Sequence, residues 1–311
     1  MKSRTVFAIV SCLIGPTLVL GQVAQAPAEK TAPNIPGVVA GGTRVQLIWT
    51  GFESADGIIS APDGSLLFAQ EPANRISKID KDAKVSTYLS DTNGAGALAL
   101  DRQGRVFAAQ RHNVSVGILA PVRRVLVVSY DGGPLTGAND LVVDKRGGVY
   151  FTESGRMPNP AVYYISPEGR TTRLAGDIER ANGIMLDRDE AILYVTNSEF
   201  VLAFDIQPDG TVLNRRVFGT LEGAGADGLA IDAMGRLYAT SPIGVQVFSP
   251  QGQHLGIIPT PRPATTVAFA GPDKRTLYIV GRGAEGPGNQ QNARSMYKVS
   301  MLAEGFKGRA K

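Results

Sequence analysis

Four oxygen-bearing side chains in this 311-residue sequence, Asp56, Asn139, Asn182 and Asp227, stand in matching surroundings. Each follows an alanine and opens a strand-turn-strand segment: "ADGIISAPDGSLLFAQ", "ANDLVVDKRGGVYFTE", "ANGIMLDRDEAILYVTN" and "ADGLAIDAMGRLYATS". If the four converge, two carboxylates repel each other and resist desolvation. A divalent cation resolves that conflict, because two carboxylates balance its charge and amide carbonyls complete an oxygen shell. No Cys or His shares the position, so the ion expected is Ca²⁺ first, with Mg²⁺, Mn²⁺ or Zn²⁺ behind it.

Convergence has to come from the fold, and the repeat supplies it. Two further segments, "AGALALDRQGRVFAAQ" and "TTVAFAGPDKRTLYIVG", put Gly96 and Thr266 at the same place, so the six anchors are spaced 40, 43, 43, 45 and 39 residues apart. That period suits four short strands per unit, and stretches such as "VYYISPEGRTTRLA" and "VQVFSPQGQHLGII" supply the outer pair. The expectation is an all-β chain, a six-bladed β-propeller with four-stranded antiparallel blades. In such a ring the innermost strands run along a central channel, and equivalent positions form a circle at its mouth. "TRVQLIWTG", residues 43–51, is expected to complete the last blade by pairing with "RSMYKVSM".

One motif invites a different reading. "GAGADGLAID" contains G-x-G-x-x-G at Gly223, Gly225 and Gly228. A dinucleotide fingerprint needs those glycines between a strand and a helix. Here Leu229 and Ile231 alternate with Ala230 and Asp232, and Gly235 brings a turn before a helix can form. The small residues instead suit a chain turning closely around the axis.

The chain opens with Lys2 and Arg4, an apolar run from Val6 to Leu20, and Ala24-Gln25-Ala26. This is the layout of a secretory signal over residues 1–26, so the protein is expected to be exported, periplasmic or secreted, with no stable membrane insertion after cleavage. Residues 27–42, rich in Pro, Ala and Gly, are expected to be a flexible leader, and 43–311 the propeller. Cleavage removes two basic residues, so the formal charge falls from +4 to +2, which is no nucleic-acid footprint. The only cysteine, Cys12, lies in the signal and leaves no thiol chemistry. A monomer is expected.

The four segments together resemble the gluconolactonase, regucalcin and luciferin-regenerating-enzyme family, from about Thr43 to the C-terminus. The resemblance implies a six-bladed propeller with one divalent metal in the channel mouth, and hydrolysis of a small, sugar-derived lactone. It places the family's metal ligands on Asp56, Asn182 and Asp227, a metal- or substrate-contacting amide on Asn139, and a catalytic proton acceptor on Asp227. Asp56 stands where the family usually has Glu, and Ile58 where it has Pro. Glu153, Asn197 and Gln70 replace Asp at other positions, and Glu153 becomes a candidate substrate-binding residue or second base. No G-x-S-x-G occurs, and neither His112 nor His254 falls at the ring position, which argues against nucleophilic catalysis. The alternative is a non-catalytic, ligand- or protein-binding propeller of the cell envelope.

Overall fold

A computed structural model describes residues 29–154, 160–284 and 293–309. The expected signal, residues 1–26, lies outside them. All regular structure among the described residues is β, in six four-stranded antiparallel sheets plus one two-stranded ribbon at residues 129–134. Blades one to five run in sequence order over residues 56–90, 95–127, 138–175, 181–220 and 229–259. Blade six takes three strands from residues 264–300 and its fourth, Gln46–Phe52, from the other end of the chain. Leu47 pairs with Tyr297 and Thr50 with Ser295, so the predicted closing strand is the one used.

Each strand's composition sets its depth. Inner strands such as Ala95–Leu100 are small, apolar and buried at every position, as befits strands covered on both faces. Outer strands such as Val85–Ser90 are mostly exposed. Between the sheets lie six apolar clusters, one at each blade-to-blade contact. The cluster between blades six and one, with Ile58 and Phe68 against Val280 and Met296, closes the circle.

"GADGLAID" enters the inner strand of blade five, Leu229–Ile231, and a turn follows with no helix. A Cβ on Gly228 would lie 2.9 Å from Thr266 Cα, so glycine is needed there for close approach of two inner strands.

The expected leader behaves otherwise than its composition suggests. Of residues 29–42, Ala32, Ile35, Val38 and Val39 are buried against Tyr238, Val245 and Ile258 of blade five and neighbours from blade six. Its backbone is tied as well: Leu302 and Ala303 both donate to Val38 O, at 2.9 and 3.1 Å. Proline and glycine shape the loop, but four apolar side chains anchor it. Ile35→Ala is therefore expected to cost about 2–5 kcal/mol of unfolding free energy in denaturant titrations. A free leader would show no measurable change.

Candidate active site

Among the second positions of the six segments, Asp56, Asn139, Asn182, Asp227 and Thr266 line one cavity of about 20 Å³ on the channel axis. That is room for roughly one water-sized occupant. In five blades the ladder between the two innermost strands shifts register at this point, between Asp56 and Ile59, Ala95 and Ala97, Ala138 and Leu141, Ala181 and Ile184, and Ala264 and Thr266. Bulges re-aim side chains. Here they turn the anchor residues toward the axis.

Buried threonines set the positions of the ring's main chain. Thr152 Oγ1 donates to Asn182 O at 2.6 Å, Thr196 Oγ1 to Asp227 O at 3.1 Å, and Thr240 Oγ1 to Thr265 O at 3.1 Å. Each bond crosses to the next blade. Thr196 also accepts Gly183 N–H at 2.7 Å, so one hydroxyl holds the segments that carry Asn182 and Asp227.

Two ring members escape a reading based on alternation. Asp140 follows Asn139, so a regular strand would face it away from the channel; the bulge brings it to the cavity wall. It accepts Leu141 N–H at 2.9 Å and Ile184 N–H of blade four at 3.0 Å, and so also ties blades three and four together. Arg111 reaches the cavity from the turn after Val106–Gln110. Its guanidinium donates to Glu71 at 2.9 Å, Asn139 Oδ1 at 3.0 Å and Asp56 at 3.5 Å. It occupies space left by Gly96, where a Cβ would lie 2.3 Å from Arg111 Nε. The adjacent His112 is exposed over Gly94, outside the ring.

Glu153, expected to bind substrate, is not in the cavity wall. It is buried, and its Oε1 accepts Thr136 N–H, Thr136 Oγ1–H and Gly137 N–H at 2.8, 2.9 and 2.5 Å. Asn197, at the same register in blade four, likewise accepts Arg180 N–H at 2.8 Å. Both brace the loop entering their own blade. Gln70 accepts from Arg75 and Ser77 within blade one.

The electrostatics are lopsided. Three carboxylates and one guanidinium line the cavity. Burial pushes the Asp227 carboxyl up to about 8, with Asp56 and Asp140 adding to the rise and Arg282 and Arg111 opposing it. Asp56 is raised as well, mainly by burial, against the pull of Arg111. The excess of two negative charges is what a divalent ion neutralises, and carboxylate and amide oxygens are the donors hard ions choose. Among the described residues no three His, Cys, Asp or Glu side chains form a metal-binding group by themselves. Amides are therefore needed to complete the shell, and Asn139 Nδ2 already meets Asn182 Oδ1 at 2.6 Å. The residues fit one hard divalent cation held by Asp56, Asn182 and Asp227 with Asn139 beside them.

The SMP-30/Gluconolactonase/LRE-like region family model matches residues 54–282, which span the ring and all six inner strands. The chain belongs to this family. Among its relatives is a gluconolactonase of Zymomonas mobilis, 27% identical over 293 residues, covering 80% of this chain and 82% of that protein. A solved Xanthomonas campestris gluconolactonase superposes with a TM-score of 0.73 at 24% identity, covering 90% and 99% of the two chains. A calcium-binding regucalcin of Agrobacterium tumefaciens gives 0.69 at 17% identity, covering 84% and 95%. These two solved structures support the fold.

Two outcomes follow from this geometry. Thr196→Val leaves Gly183 N–H without its acceptor and is expected to cost about 1–3 kcal/mol in denaturant titrations; a loss below 0.5 kcal/mol, on the order of an ordinary surface change, would show that the bond is dispensable. The second concerns pH. A carboxyl near 8 when folded and about 3.9 when unfolded binds more protons in the native state between those values. Cation-free protein should therefore lose stability as pH rises from about 4 to about 8, and Asp227→Asn should flatten that slope in pH-dependent unfolding.

Proposed function

We propose that the protein hydrolyses a small, sugar-derived lactone at the channel mouth. The observation that carries this reading is the convergence of Asp56, Asn139, Asn182 and Asp227 on one cavity, within a family whose relatives include a gluconolactonase. Asp56, Asn182 and Asp227 would hold one divalent cation, Ca²⁺ being the first candidate on donor chemistry and on the regucalcin likeness. When bound, it would supply Lewis-acid polarisation of the ring carbonyl.

The chain's own groups account for positioning and proton movement. Asp227, in the cavity wall, takes the proton of the attacking water. Water oxygen bonds to the carbonyl carbon, the ring C–O bond breaks, and the leaving alkoxide takes the proton that Asp227 has accepted, giving an open hydroxy acid. The Asn139 amide and the Arg111 guanidinium are placed to hold substrate oxygens, since both border the cavity. Thr196 keeps Asp227 in position through its main chain.

The test is acid release from a panel of aldonolactones by the mature protein, after chelation and after Ca²⁺, Mg²⁺, Mn²⁺ or Zn²⁺ is restored. Turnover is expected to need the ion and to fall by about 10²–10⁴-fold in Asp227→Ala. Ion binding without opening of any lactone would instead favour the ligand-binding propeller.

We infer further that the protein is exported, because residues 1–26 have the charged start, apolar run and Ala24-Gln25-Ala26 site of a cleaved signal. N-terminal sequencing of protein from a periplasmic or culture-medium fraction should begin at Pro27. Intact Met1 in a cytoplasmic fraction would overturn export.

A further inference from the structure

The turns that join the first and second strands of the six blades share one geometry at the end of the channel away from the ring. Each closes on a residue with left-handed backbone whose N–H returns to the carbonyl three residues earlier: Gly64, Gly104, Gly147, Glu190, Gly235 and Lys274. Glycine adopts that conformation without strain. Glu190 and Lys274 are the two exceptions, so a charged side chain is kept at these turns against the backbone preference. Glu190 pairs with Arg309 at 3.1 Å. Lys274 reaches the same C-terminal stretch, but its ammonium donates to main-chain oxygens, Phe306 O at 3.1 Å and Arg309 O at 2.9 Å. Among the described residues it has no ion pair, and its third N–H has no acceptor.

Lys274 stands in the wall of a cavity of about 670 Å³, within the size range of small-molecule sites. The turns of blades one, two and six, entered at Ser60, Leu100 and Gly271, form this wall together with Lys307, Gly308 and Arg309. Asp56 opens and Ser60 ends the same inner strand, so the cavity lies about 13 Å from the ring. Its charge is one-sided. The two carboxylates of the wall are committed, Asp63 to Lys78 and Asp101 to Arg105, at 2.5 Å each. Lys307 meets Glu304 at 2.8 Å, outside the wall. That leaves Lys274 and the exposed Arg102 with no carboxylate in contact among the described residues, and Arg309 Nε buried without a hydrogen-bond partner. Burial pushes the Lys274 ammonium down to about 8, and Lys307 and Arg309 press the same way with no acid pulling against them. A buried cation without a counter-charge is stabilised by an anion brought beside it.

We propose that this cavity binds a small anionic metabolite, carboxylated or phosphorylated, whose charged group sits on Lys274 with Arg102 and Lys307 at the rim. The site is separate from the ring and does not depend on the lactonase reading.

Calorimetric titration of the purified protein with inorganic phosphate, gluconate, 6-phosphogluconate and, as the neutral control, glucose tests it, in wild type, Lys274→Gln, Arg102→Gln and Asp227→Asn. At least one anion should bind saturably, and more weakly with added salt, while glucose should not bind. Arg102→Gln should weaken binding by about 10-fold and Lys274→Gln by more, on the scale of hydrogen bonds to charged groups. Asp227→Asn, at the ring, should leave it unchanged. Phosphate and gluconate distinguish the two anionic groups. Lys274 also anchors the C-terminal stretch, so its variant is read only where its unfolding midpoint stays near that of wild type. Arg102, which donates no hydrogen bond among the described residues, decides otherwise. Absence of saturable binding by any anion, equal binding of glucose, or binding that Arg102→Gln leaves intact overturns the proposal.

Discussion

The hydrogen bonds that pass from one blade to the next govern the mouth. Thr152, Thr196 and Thr240 sit at one register of three consecutive blades, fully buried, and each reaches a main-chain carbonyl of its neighbour. The equivalent residues of the other blades are Ala69, Ala109 and Val280, which have no hydroxyl to offer. In that half the inner strands come together directly, as where a Cβ on Gly57 would lie 2.6 Å from Ala97 Cα. Close backbone contact recurs on the side of Asn182 and Asp227, at Gly183 and Gly228, and there the threonine bonds are added to it.

This division matters electrostatically. Arg111 neutralises the side of Asp56 and Glu71, with ion pairs of 3.5 and 2.9 Å. Asp227, across the ring, has no ion pair among the described residues, and burial pushes its carboxyl up to about 8. The site is thereby polarised: burial raises both acids, but only Asp56 has a guanidinium in contact to offset it. An acid held in that state persists only where the surrounding scaffold prevents its relaxation, and the threonine bonds supply the restraint.

The repeat made most of this legible in the sequence. Six strand-turn-strand segments at a constant period specify the propeller, and the closing partnership of residues 46–52 with 294–300 follows from needing a fourth strand in the last blade. The same period selects four of the ring residues. It misses Asp140, because strict alternation assigns neighbours to opposite faces and the bulge after Ala138 breaks that alternation. It misses Arg111 because a long side chain from a turn can fill the gap left by Gly96 with no periodic signal. Glu153 was visible as an acid near the mouth, but its position alone does not reveal that it turns toward Thr136 and Gly137. Composition hides the anchoring of the stretch before the first strand, since the weight lies in Ile35, Val38 and Val39 rather than in the prolines around them.

The way blade six is assembled bears on how the chain reaches its native state. Its outer strand, Gln46–Phe52, precedes blades one to five in the chain, and the partner that covers it, Arg294–Ser300, follows them. Five blades can be complete while this edge still waits, with its backbone donors and acceptors open to mispairing. The last stretch does more than close the ladder: Arg309 reaches beneath blade four to the carbonyls of Leu186 and Asp187, and Gly305 bridges to Asp232 of blade five. Circular closure is therefore a late event with high contact order, and truncation by even a few C-terminal residues would be felt on the far side of the ring.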